Sequence, residues 1–330
     1  MDQYLHPYYA ADLEAGRISP EEARELLDCL WVKFAEPCLF QDAGTAAVAA
    51  GYNMFQNVCC GGVTETGEDA VNDLSYMMLQ ATMDVRLYQP SLSVRYNPGR
   101  NPNAFLRKIV ELISLGTGFP AFHNDAVGTR MLLEKGVPLR EAYNWNPCGC
   151  VETNLMGKSK ELTAFVDVNL ASMIELALLD GVHRKSGARV GARTGDPRTF
   201  TSFDAFKEAV KTQIRRVIRH VMEANHAIDE VYDERPVPVA SLSFGDCIEN
   251  GRDYCRGGAR YNRGNGVILD CVADFVNSLS AVRHLVYDEG SVTWVELLQA
   301  LEDDFEGHER VRRACLEAPK FGNDDPRADD

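Results

Sequence analysis

A chain of 330 residues, 45% hydrophobic and 25% charged, has material for one large α/β domain or two ordinary ones, so core size sets no limit. Its 34 basic and 49 acidic side chains leave a net charge of −15, which works against non-specific nucleic-acid binding and against an anionic membrane surface, and favours a small-molecule substrate. The opening Met1-Asp2-Gln3-Tyr4-Leu5-His6-Pro7 has no basic segment followed by an apolar run, and no stretch approaches the ~20 apolar residues of a membrane span, so a cytoplasmic protein is expected.

The ten cysteines then read as reduced thiols, with Cys29, Cys271 and Cys315, inside helical patterns, expected to be small buried hydrophobes. Ser19-Pro20-Glu21-Glu22 is a helix start with N-cap, N1 proline and capping-box glutamate, and Leu26, Leu27, Leu30, Trp31 and Phe34 follow at helical spacing. The small residues and glycines from Phe40 to Gly67 read as a loop around Cys59-Cys60-Gly61-Gly62, leading into a helix through the apolar run Tyr76 to Met83. Ser91 to Tyr96 alternates like a strand and ends at the turn Asn97-Pro98-Gly99; a helix with Phe105, Leu106, Ile109, Val110 and Ile113 then stops at Gly116 and Gly118. Pro120 to Asp125 reads as a short strand and loop, followed by a helix to about Lys135. Strand alternating with helix is the α/β signature.

Beyond residue 155, Ala164 to Val168 is strand-like, and Leu170 to Leu179 is helical with Gly181 in the C′ position and His183 just past the end. Ser202 opens a long amphipathic helix whose basic residues Arg215, Arg216 and Arg219 read as a solvated face. Pro236 to Leu242 is a strand candidate, Gly257 to Asn262 a glycine-rich loop, and Val267 to His284 and Val292 to Phe305 are helices. The acidic tail from Phe321 to Asp330 has no core pattern.

Chemistry concentrates in Asn146-Pro147-Cys148-Gly149-Cys150-Val151-Glu152. If this tip is extended, Cys150 and Glu152 project to one side and present a thiol and a carboxylate to one cavity. Cys148, Cys150 and His123 lack the second ligand pair a structural zinc needs, so no metal is expected. Gly157-Lys158-Ser159 is not the end of a phosphate loop, because Glu152 stands where that motif needs glycine. The glycines at 257, 258, 264 and 266 would let a ligand approach the backbone, or merely turn the chain. His183 reads either as an acid or base or as a histidine satisfied at a helix end, and a nucleophile pairing of Cys150 with His183 or His123 stays open.

Gly149-Cys150-Val151-Glu152 resembles the cysteine loop of the glycyl radical enzymes, the family of pyruvate formate-lyase, the glycyl radical dehydratases and the arylacetate decarboxylases. Further segments are similar in the same order: Tyr4 to Leu30, Gly61-Gly62 to Leu74, Pro90 to Asn97, Pro120 to Asp125, Gly257-Gly258-Ala259-Arg260-Tyr261-Asn262, and Pro319-Lys320-Phe321-Gly322-Asn323-Asp324-Asp325. Essentially the whole chain takes part.

The resemblance implies the central part of a pyruvate formate-lyase-like domain, a ten-stranded α/β barrel surrounded by helices and incomplete at both ends here. It implies Cys150 as the carrier of a thiyl radical, Glu152 as the adjacent base or acid, and His183, Cys148, Tyr261 and Asn262 in substrate binding. It also implies a glycyl radical on a C-terminal Arg-Val-x-Gly-Tyr loop, a motif that residues 1–330 do not contain. A radical-SAM activating enzyme would install it, and a homodimer and a small companion subunit are further expected partners. Cys148 departs from the dehydratase pattern, and it is not adjacent to Cys150 as in the cysteine pair of pyruvate formate-lyase, which speaks against formate chemistry. The longer run Asn146 to Leu155, with His183 after the next helix, looks most like arylacetate decarboxylases acting on 4-hydroxyphenylacetate. The alternatives are a dehydratase or C–N lyase acting on a diol-like or amino alcohol substrate, an acyltransferase like pyruvate formate-lyase, or an inactive barrel fragment.

Overall fold

The structure is a computed structural model that describes residues 1–37, 42–48, 56–149, 151–160, 166–262 and 265–329. Helices α1 (Asp2–Glu14), α2 (Pro20–Ala35) and α3 (Ala43–Val48) precede strand β1 (Asn57–Gly61), α4 (Asp73–Val85), β2 (Ser91–Tyr96), α5 (Asn103–Ile113), β3 (Ala121–Asn124), α6 (Asp125–Glu134) and α7 (Leu139–Ala142). Then come β4 (Asn146–Cys148), β5 (Glu152–Asn154), β6 (Ser159–Lys160), β7 (Val166–Asn169), α8 (Ala171–Leu178) and the long α9 (Phe203–Glu234). The chain finishes with α10 (Pro238–Ser241), α11 (Gly245–Asn250), β8 (Tyr261–Asn262), β9 (Val267–Asp270), α12 (Val272–Val282), α13 (Trp294–Glu302), α14 (Glu309–Glu317) and α15 (Pro326–Asp329). They form two compact units, Met1–Thr163 with Pro236–Arg263, and Ala164–Arg235 with Gly264–Asp330.

In the first unit β1, β2 and β3 make a parallel sheet in that order, with Asn57 opposite Ser91 and Arg95 opposite His123. Parallel neighbours need a crossover, and α4 and α5 supply the two crossovers. β2 is the middle strand, and Leu92 to Tyr96 are all buried, as a strand covered on both faces requires. Leu27, Trp31, Cys60, Met78, Leu92, Phe105 and Ile109 belong to one core, in which the Trp31 indole donates to Thr82 Oγ1 at 2.9 Å. The capping box of α2 forms as expected, with Ser19 accepting from the Glu22 amide and Glu22 accepting from the Ser19 amide. Asp2, at the start of α1, is buried and accepts from the Gly61 amide at 2.9 Å and from the Ser75 hydroxyl, tying that helix to the end of β1 and the start of α4.

In the second unit β7 and β9 pair in parallel, Val166 opposite Val267, and a helical core gathers Met173, Ile174, Phe206, Val210, Leu285, Trp294 and Leu297. Only Phe206, Ala209, Val210 and Gln213 of α9 are buried, all in its first half; Arg215 and Arg219 lie exposed as expected for a solvated face, whereas Arg216 is half-buried. No helix among the described residues is long and apolar enough to cross a membrane.

Several expectations need correction. The stretch read as a loop from Phe40 to Gly67 contains α3 and β1; Asn57 to Gly61 is too short and glycine-flanked to declare a strand until β2 lies beside it. Pro236 to Leu242 is not a strand, because Pro238 occupies the first turn of α10. The helix expected from Val267 begins only at Val272, since Val267 to Asp270 pair with β7. Asp180 takes the left-handed C′ place after α8, at φ 49°, and Gly181 follows it at φ 80°. The tail carries α15, with Ala328 buried. Cys29 and Cys271 are exposed and Cys315 half-buried, whereas Cys60 and Cys247 are buried. The α/β class stands, but the described strands form one three-stranded sheet and three two-stranded pieces, and a ten-stranded barrel is not seen among them.

Candidate active site

β4 and β5 form an antiparallel hairpin in which Asn146 faces Asn154, Pro147 faces Thr153 and Cys148 faces Glu152. The tip is therefore a tight reversal after Cys148 and not an extended strand, and the facing pair is Cys148 with Glu152. Cys150 itself lies outside the described residues. Gly149 makes the reversal possible: its φ is +63°, where a side chain is disfavoured, and a Cβ there would lie 2.9 Å from Glu152 Oε1. The Glu152 carboxylate is thus folded over the backbone just before Cys150, and its Oε2 accepts from the Val151 amide at 2.8 Å.

A buried cluster around Arg95 holds the hairpin stem, and Asn57 holds its tip. The Arg95 guanidinium donates to Asp125 Oδ1 at 2.8 Å through Nε, to the Trp145 carbonyl at 2.7 Å and to the Tyr143 carbonyl at 2.7 Å. Its side chain is 6% exposed and that of Asp125 0%, so the charges are compensated inside the fold. The guanidinium also stands 4.8 Å from the Trp145 ring centroid, and the Trp145 indole donates to Asp125 Oδ1 at 3.1 Å. Trp145 closes against Gly128 of α6 so tightly that a Cβ there would fall 2.3 Å from the ring. At the tip, the side-chain amide of Asn57 donates to the Gly149 carbonyl at 2.6 Å and accepts from its amide at 3.1 Å.

Between the end of β1, Arg95, Asn144 and Asn146 lies a cavity of about 370 Å³, which Cys59 lines. Burial pushes the Cys59 thiol up to about 11, outweighing the attraction of Arg95. In the folded chain Cys59 alkylation is accordingly expected to be still accelerating at about pH 10, while the same cysteine in the urea-unfolded chain levels off near the ordinary thiol value of ~8.5. Peptide mapping after pulsed iodoacetamide labelling reads both profiles, and coincident profiles would show that the cavity does not shield this thiol. Burial, and then Arg95, keep the His123 imidazole below its ordinary value, so it packs neutral and edge-on against Trp145 at 5.9 Å. Among the described residues no cluster of three or more His, Cys, Asp or Glu stands ready for a metal.

The family described as Pyruvate formate lyase-like matches residues 1–330. This chain belongs to that family. It is 37% identical to the trans-4-hydroxy-L-proline dehydratase of Clostridioides difficile over 336 residues, covering 100% of this chain and 42% of that protein. The glycerol-bound B12-independent glycerol dehydratase of Clostridium butyricum superposes with a TM-score of 0.85 at 36% identity, covering 99% of this chain and 41% of that one. The glycyl radical subunit of 4-hydroxyphenylacetate decarboxylase from Clostridioides difficile is 28% identical, with 99% and 41% covered. The chain thus spans about two fifths of these pyruvate formate lyase-like relatives.

Of the other residues singled out from the sequence, Tyr261 is brought to the hairpin stem. It sits in β8 opposite Ser159 of β6 and packs on the small core of Leu132, Trp145 and Leu155, which flanks both hairpin strands. Burial, followed by the Glu141 carboxylate, raises its phenol above the ordinary value. Asn262 turns back into its own loop, donating to the Ala259 carbonyl at 2.9 Å. His183 belongs to the second unit, half-buried beyond α8, with Nδ1 2.9 Å from the Ser186 hydroxyl. Sequence reading missed Asn57, Cys59 as a cavity thiol, and Arg95. Only Arg95 left a usable trace, an arginine inside a strand whose neighbours are apolar.

Proposed function

We propose that this chain carries the thiol and the base of a glycyl radical lyase of dehydratase type, acting on a diol-like small molecule. The observation that carries the reading is the Glu152 carboxylate held over Gly149, one residue from Cys150, which puts a proton acceptor and a hydrogen-atom acceptor on one tip. Support comes from the relatives named as dehydratases, one with hydroxyproline and one with glycerol. The arylacetate decarboxylase expected from the sequence is the more distant likeness at 28% identity, and it yields to the elimination reading.

The residues fit a radical cofactor in one respect: a thiol that must meet a single C–H bond needs a rigid mount, and the backbone beside Cys150 is fixed by Asn57 and, through the hairpin stem, by Arg95. A glycyl radical, installed by a radical-SAM activating enzyme on polypeptide outside these residues, would supply the unpaired electron. The Cys150 sulfur then takes a hydrogen atom from the hydroxyl-bearing carbon. Glu152 accepts that hydroxyl's proton and passes it to the neighbouring hydroxyl, which leaves as water. Cys150 returns its hydrogen atom to the product carbon. A diol thus becomes an aldehyde and water with no net change in protons or electrons. Tyr261 behind the stem and Cys148 beside Glu152 would shape the pocket, with His183 and Asn262 as further substrate-binding candidates. A homodimer, a small companion subunit and a cytoplasmic location belong to the same proposal.

The test is anaerobic activation of this chain together with the polypeptide that completes the barrel. Glycerol or propane-1,2-diol should yield an aldehyde that an alcohol dehydrogenase couples to NADH oxidation. Release of carbon dioxide from 4-hydroxyphenylacetate without any dehydration would reinstate the decarboxylase.

A further inference from the structure

We infer that Asn57 is a positioning residue for the thiol and carboxylate tip, acting through Gly149. Its carboxamide makes both hydrogen bonds that a neighbouring strand would make to one residue: 2.6 Å from Nδ2 to the Gly149 carbonyl and 3.1 Å from the Gly149 amide to Oδ1. Two bonds to a single peptide residue fix its orientation as well as its distance, which one bond does not. Asn57 is itself anchored, since it opens β1 and is paired with Ser91 of the central strand β2. Gly149 is also the residue on which the Glu152 carboxylate rests, 2.9 Å from the place of a Cβ. One side chain therefore holds the residue on which the Glu152 carboxylate rests and to which Cys150 is directly bonded in the chain.

The chemistry favours an amide here. Its donor and acceptor match a carbonyl and an amide on the same residue, and it brings no charge beside the thiol. Aspartate has the same size but keeps only the acceptor half, and it sets a carboxylate oxygen against the Gly149 carbonyl where a 2.6 Å hydrogen bond had been. Leucine keeps the branched shape and loses both bonds. A reacting atom misplaced by ~1 Å can cost ~10²-fold in rate, so the tip needs its orientation more than the fold does.

The activity part of the inference rests on the lyase reading; the structural part does not. The test uses Asn57→Leu and Asn57→Asp in the 330-residue chain and in the activated complete enzyme. In the chain, hydrogen exchange at the Gly149 amide should speed up by ~10-fold or more in Asn57→Leu, and Cys150 alkylation should change while that of exposed Cys29 does not. In the enzyme, both variants should lower kcat by ~10²-fold with KM nearly unchanged and melting little altered. Should Asn57→Leu fail to fold, the isosteric Asn57→Asp carries the same kcat and alkylation readouts. Unchanged Gly149 exchange and Cys150 alkylation, or a KM rise without a kcat fall, would overturn the inference. A wild-type enzyme inactive on diols would instead overturn the dehydratase reading, leaving the exchange and alkylation results to decide the role of Asn57.

Discussion

Replacing Arg95 by methionine is expected to destabilise the protein by about 3–5 kcal/mol, the cost typical of stripping one partner from a buried ion pair. The side chain it removes is 6% exposed and serves Asp125 and the carbonyls of Tyr143 and Trp145 at once. Methionine fills much of the volume and donates nothing. Asp125, wholly buried, would be left with the Trp145 indole at 3.1 Å and the Asn97 side-chain amide at 3.2 Å as its remaining side-chain donors. The double replacement Arg95→Met with Asp125→Leu removes the orphaned charge and should recover a large part of the loss, though the two carbonyls stay unpaired. Urea denaturation of the single and double variants measures the difference. A double variant no more stable than Arg95→Met would mean that the stranded carboxylate is not the source of the damage.

Glu152→Gln is expected to reduce turnover of the complete, activated enzyme by ~10²–10⁴-fold, the usual worth of a general base. The amide is nearly isosteric, and its oxygen can still accept from the Val151 amide as Glu152 Oε2 does at 2.8 Å, so the hairpin should keep its shape. What it cannot do is take a proton from a substrate hydroxyl. Comparable melting with a large fall in kcat separates that role from a structural one. A loss under about tenfold would remove Glu152 from the reaction.

The two predictions divide along the line between what sequence shows and what it hides. Ser19 and Glu22 are three residues apart, and their mutual capping could be read directly because both bonds lie within one turn. The strand of β2 and the helices α2, α5 and α9 were legible for the same reason, each pattern lying inside its own element. The errors fell where pairing decides the element. Val267 to Asp270 is apolar enough for a helix start and becomes a strand because β7 is alongside, about a hundred residues earlier in the chain. The Cys29 and Cys271 thiols were expected inside because their neighbours repeat helically, yet the side of α2 that meets the core is set by what packs against it, and Cys271 falls at the N-cap between β9 and α12.

The candidate site shows the same division. By itself the sequence determined the family and singled out Cys150 and Glu152 as candidates, with a glycine between Cys148 and Cys150, because these occupy one short run with a recognisable order. Only the tertiary structure decided what holds that run: Asn57, 92 positions before Gly149, and Arg95, 50 before Trp145. Neither has a local signature, since an asparagine or an arginine acquires its partners only when distant segments meet. The bonds of Arg95 also gain weight from burial, where water competes little for the donors, and burial is a property of the folded chain.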